Sequence, residues 1–115
     1  MVPRFSPPEA RQRAVDVSRQ VVDGKLSILL GARELNRLLR DAGLGDDDPD
    51  LIDIVLIDSE TDALPLELPV RALWQEQALE RKDSALRRSE AWARAFGLET
   101  CRRLILRFAP PNEEL

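Results

Sequence analysis

The chain has 115 residues, 43% hydrophobic and 33% charged, with a formal net charge of −4 and a sequence pI of about 4.9. That balance is that of one soluble globular domain and excludes the disordered class. The absence of histidine and the single cysteine, Cys101, exclude histidine-activated nucleophiles, an internal disulfide and a structural zinc site.

A first helix starts at Ser6-Pro7-Pro8-Glu9, a capping box with proline at the first helical position, where its missing N–H costs nothing. Ala10, Ala14, Val17 and Val21 continue it as one apolar stripe, and Gly24 supplies a left-handed stop. Ser27 caps a second helix with Ile28, Leu35, Leu38, Leu39 and Ala42 on one face, ended by Gly43. Gly31 inside it costs about 1 kcal/mol against alanine, which a close helix crossing would justify. The short link Asp23–Leu26 makes the two helices antiparallel.

Asp48-Pro49-Asp50 is a second cap-plus-proline start. The run Leu51–Ile57 after it is too short and too apolar for periodicity to decide between helix and buried strand. The cap favours a helix, and the chain offers no second strand to satisfy the amides of a first. Pro65 and Pro69 break the chain into an extended connector. A short helix is expected over Val70 to Lys82, carrying Leu73, Trp74, Ala78 and Leu79. The longest helix follows, with Leu86, Ala93, Phe96, Cys101, Leu104, Ile105 and Phe108 on one face, continuous across Gly97 and stopped by Pro110-Pro111. The expected fold is therefore all-α: four to five helices in a mostly antiparallel bundle with a long C-terminal helix. It forms one domain over residues 1–115, with 1–5 and 111–115 frayed.

The charges are segregated. Residues 46–70 hold nine carboxylates (Asp46, Asp47, Asp48, Asp50, Asp53, Asp58, Glu60, Asp62, Glu67) and no Lys or Arg, while both flanks are net basic. Arginine outnumbers lysine fifteen to two, as in a protein from a GC-rich genome. Arg87, Arg94 and Arg102 form a rough stripe, but the negative overall field argues against nucleic acid. No stretch approaches the ~20 apolar residues of a membrane span. Residues Met1-Val2-Pro3-Arg4-Phe5 lack the apolar run of a signal peptide. A cytoplasmic protein without membrane contact is expected.

No phosphate loop or dinucleotide fingerprint is present, and no cofactor is implied. Asp46, Asp48 and Asp50 have the first spacings of a calcium loop, but Leu51 replaces the required glycine and Ile57 the closing glutamate. A looser Mg²⁺ or Mn²⁺ site built from Asp58, Glu60, Asp62, Glu76 and Glu80 would make the protein a small metal-dependent hydrolase. Against it, clustered carboxylates serve more often as caps and solvated surface. Arg33, Arg37 or Arg71 pairing with the acidic centre is a further internal alternative. The leading expectation is a protein–protein interaction module, not an enzyme, that uses Asp46, Asp47, Asp48, Asp58, Glu60, Asp62 and Trp74 against a basic protein partner. A homodimer is the plainer possibility. Trp92 is expected in the core, and Cys101 reads as a small buried hydrophobe.

Gly31-x-Arg33-Glu34-Leu35, the segment Ile57-Asp58-Ser59-Glu60-Thr61-Asp62 with Leu64-Pro65, then Val70-Arg71, Trp74, Ala78-Leu79, Lys82-Asp83 and Cys101 together resemble a family of small bacterial proteins with no assigned activity. The resemblance covers most of the chain and implies a bacterial cytosolic helical protein. It carries no catalytic signature, so no site transfers. Size, acidity and lack of catalytic machinery are also similar to those of immunity proteins that neutralise toxins, a likeness of composition.

Overall fold

The computed structural model describes residues 4–60 and 76–109, the latter with side chains at 84 and from 87 onward. Among the described residues there are four helices and no strand: α1 (Pro7–Val22), α2 (Ile28–Asp41), α3 (Pro49–Glu60) and α4 (Glu76–Phe108). The expected all-α bundle is what forms.

Local signals set the helix ends. The Glu9 amide donates to Ser6 Oγ at 3.4 Å, and the Ser6 hydroxyl reaches Glu9 Oε1 at 3.3 Å. Ser27 Oγ accepts from the Leu29 amide at 3.1 Å and caps α2. Asp48 Oδ1 accepts from the Asp50 amide at 3.0 Å and opens α3. Gly24 and Gly43 end α1 and α2 with φ of 76° and 99°, a left-handed geometry that costs glycine least. Leu51–Ile57 is helical, as its cap requires.

The helices alternate in direction, as side-chain pairings from end to end show. Arg4 donates its backbone N–H to Asp41, while Gly31 crosses Val21, so α1 and α2 run antiparallel. Arg40 meets Asp46 before α3, and Asn36 meets Asp58 near its end. Asp48 meets Arg107, and Thr100 meets Asp53. α1 and α3 each pack on both α2 and α4, and α2 touches α4 across the centre. One core results, built on Ile28, Leu29, Leu35, Leu38, Leu39, Leu51, Ile54, Ile57 and Leu104, all almost fully buried. Burying each such side chain contributes roughly 1.5–3 kcal/mol.

Two glycines let helices approach closely. A Cβ on Gly31 would lie 2.5 Å from Val21 Cγ2, and one on Gly97 would lie 3.0 Å from Ile28 and Ile57 carbons. Gly97 does not interrupt α4, in line with the unbroken phase of its apolar face. Arg4 and Phe5, inside the stretch expected to fray, make contacts: Arg4 bridges Glu34 at 3.1 Å, and Phe5 packs on the core.

One expected element is corrected. The separate short helix ending at Lys82 does not exist as such, because Glu76 to Lys82 is the first part of α4. Between Glu76 and Phe96 the sequence has neither proline nor glycine. Nothing there breaks the i to i−4 ladder, and continuing a helix is cheaper than nucleating another. The expected connector around Pro65 and Pro69, and residues 70–75 with Leu73 and Trp74, lie outside the described residues.

Candidate functional site

The acidic centre divides into two parts with different surroundings. Its first part, the N-terminal half of α3, is clasped to α4. Asp48, Asp50 and Asp53 face Thr100, Arg103 and Arg107, which the i, i+3, i+7 spacing puts on one stripe. Arg107 grips Asp48 with both Nη atoms, at 3.1 and 2.8 Å. Asp50 is shared, with Oδ1 taking Arg103 Nε at 3.0 Å and Oδ2 taking Arg107 Nη1 at 3.1 Å. Asp53 Oδ2 accepts from Arg103 Nη2 at 3.1 Å and from Thr100 Oγ1 at 3.0 Å.

Planar guanidinium forks suit this sharing, because each presents several donors in fixed geometry. The Arg107 guanidinium holds the Asp48 carboxyl below its usual range, aided by the Asp50 and Leu51 amides against the cost of partial burial. The carboxylates in turn raise Arg103, chiefly through Asp50, and Arg107, chiefly through Asp48. Two further acids are paired to α2. Asp58 accepts from Asn36 at 2.8 Å and lies 3.5 Å from Arg33, while Asp46 pairs with Arg40 at 2.9 Å. Much of the counter-charge to this centre thus comes from the same chain. Arg33 was among the expected internal partners; Arg40, Arg103 and Arg107 were not.

The second part is the outer side of α3. Leu51, Ile54 and Ile57 fill the core, but Ile52 and Leu56 stay 49% and 44% exposed, with Val55 half-buried beside them. Such side chains left half in water forgo about 1 kcal/mol each. They border a groove of about 440 Å³ lined also by Arg40, Asp46, Leu51 and Ser59. On the α4 side a second hollow of about 360 Å³ is lined by Glu60, Arg88, Ser89 and Trp92. Trp92, expected in the core, is 40% exposed and meets Phe96 edge-on at 5.2 Å. Its place on the edge of the α4 apolar face, beside Ala93 rather than at its centre, explains this. Asp47 and Glu60 are exposed acids without an ion pair among the described residues.

The structure therefore separates the expected partner-binding residues. Asp48 and Asp58 are engaged inside the fold, Asp46 is exposed but paired, Asp47 and Glu60 face solvent, and Asp62 and Trp74 lie outside the described residues. The carboxylates expected for a metal site are not shown to converge. Asp58 is turned to α2, Glu60 borders the hollow towards α4, Asp62 lies outside the described residues, and so do the side chains of Glu76 and Glu80. Among the described residues no group of three or more His, Cys, Asp or Glu is arranged to hold a metal ion. Nor is any helix among them long and apolar enough to cross a membrane.

Family models, curated proteins and solved structures yield no match to this chain. Cys101, the one thiol, is fully buried. Burial pushes it up to about 11, with Ser18 and Arg102 acting the other way, which leaves it protonated and unreactive at neutral pH.

Proposed function

We propose that this protein is a small acidic helical interaction module that binds a basic protein partner, as an immunity-type protein binds its toxin. The observation that supports the reading most is the outer side of α3, where exposed Ile52 and Leu56 stand between the solvent-facing acids Asp47 and Glu60. Apolar anchors edged by like charge supply affinity from burial, and partner choice and association rate from the field. The net charge of −4 repels acidic competitors.

The test is affinity capture from the organism that encodes the protein, with wild type and an Asp47→Lys/Glu60→Lys double variant as baits. A basic protein held by wild type, released by salt and lost with the double variant is the expected result. Capture of nothing, of acidic proteins only, or of the same proteins by both baits refutes the reading.

A further inference from the structure

α3 carries more apolar surface than its place in the bundle uses. Of the run Leu51–Ile57, the core takes Leu51, Ile54 and Ile57 with part of Val55, while Ile52 and Leu56 stay exposed and, with Val55 and Leu51, line the groove beside α2. A helix with apolar side chains on two faces is normally enclosed on both. We infer that this groove receives the apolar face of a basic amphipathic helix from a partner protein, an inference that rests on the interaction reading above and names the form of the ligand.

Length and charge both favour that occupant. Ile52 to Leu56 is one turn of α3 and Ile52 to Ser59 about two, so a partner helix with apolar residues at i, i+3 or i+4 and i+7 would match the ridge. Along the groove Arg40 is offset by Asp46 at 2.9 Å, an exposed pair that leaves the carboxylate accessible. Just beyond its ends the chain continues into Asp47 and into Glu60, both acidic and exposed, Glu60 bordering the adjoining hollow with Arg88. Lysines or arginines at the two ends of a bound helix would meet them. A second copy of this chain laid antiparallel on the ridge would instead bring Asp47 of one copy towards Glu60 of the other, which like-charge repulsion disfavours.

The test uses three fluorescent peptides of roughly 15 residues, near the length at which an isolated helix becomes marginal. One is an amphipathic Leu/Lys helix, the second its Leu/Glu twin, and the third a proline-interrupted peptide with the same lysines and leucines. Binding is followed by anisotropy at low salt and by methyl NMR of the full chain, wild type and Ile52→Ser/Leu56→Ser. Both substituted positions are half-exposed, so the variant keeps its fold, which its melting curve verifies.

The expected result is saturable binding of the Leu/Lys helix only, with shifts at the Ile52, Val55 and Leu56 methyls, weakened by roughly tenfold or more in the variant. If the proline-interrupted peptide binds equally well and the variant changes nothing, the helix-in-groove inference fails while the acidic-module reading stands. If neither cationic peptide binds, both fail. Self-association of wild type that the variant abolishes would overturn the inference in favour of a second copy. Nuclear Overhauser contacts from residues 61–75 onto Ile52 and Leu56 would overturn it in favour of the chain itself.

Discussion

Arg107, the penultimate residue of α4, grips Asp48 at the start of α3 through two parallel hydrogen bonds of 3.1 and 2.8 Å. The same carboxylate caps α3 through the Asp50 amide. One side chain thus starts a helix and fixes its position against another. Replacing Arg107 with Met should cost about 1–2 kcal/mol. Hydrogen bonds to charged groups are worth roughly 1.5–3 kcal/mol, discounted here because the guanidinium is 40% exposed. Urea unfolding of the single and paired Asp48→Asn variants measures the coupling. Additive losses would show that the fork contributes little.

Acid should loosen the same clasp. The folded pKa of Asp48 lies below its ordinary value. Its contribution is therefore fully present above the unfolded value of about 3.9 and disappears as pH falls through the folded value. Stability should decline from about pH 5 downward, and Asp48→Asn should show a shallower acid limb. Equal acid limbs in the two proteins would assign the decline to other carboxylates.

Gly31 is where α2 crosses α1. Gly31→Ala would gain about 1 kcal/mol of helix propensity. Its new Cβ would sit 2.5 Å from a methyl of Val21, a side chain stiff at χ1. Overpacking of this kind costs about 1–3 kcal/mol, so a net loss of up to about 2 kcal/mol in chemical unfolding is expected. A gain would mean that the two helices separate at little cost.

Ser18 Oγ is buried and, among the described residues, finds no oxygen or nitrogen partner, only the weakly hydrogen-bonding Cys101 sulfur. A buried hydroxyl so poorly paired is a cost. Ser18→Ala should leave stability unchanged or raise it by about 1 kcal/mol. In the folded protein Cys101 should react with thiol reagents only as fast as the chain unfolds. A lowered melting temperature for the alanine variant would show that the hydroxyl is bonded after all.

Much of the fold is legible in the sequence, because caps and breakers are local. Ser6, Gly24, Ser27, Gly43 and Asp48-Pro49 each act within one turn of their own position. The start of α4 is the least legible boundary: the apolar positions over Leu73–Leu79 and those from Leu86 onward suggest two stripes, but without a breaker between Glu76 and Phe96 one helix carries both. The site was only half legible. Nine acids in one stretch are visible by eye, but whether each is paired depends on which helix packs beside α3. Arg103 and Arg107 lie 50 to 59 residues away in sequence from their aspartates. A usable signal did exist: Thr100, Arg103 and Arg107 share a polar stripe beside the buried Cys101 and Leu104. The ambiguity of Leu51–Ile57 had a cause as well, since a helix with apolar side chains on two faces lacks the periodicity that distinguishes helix from strand.

The proposed binding surface requires α3 to be two-faced, enclosed on one side and open on the other. A soluble paramagnetic agent added to the methyl-labelled full chain tests this directly, because relaxation enhancement reports access to solvent residue by residue. Ile52 and Leu56 should broaden strongly, as should Leu106, which is 67% exposed, while Ile54 and Ile57 stay sharp. If Ile52 and Leu56 are as protected as Ile54 and Ile57, the outer face of α3 is already covered and the proposed binding surface does not exist.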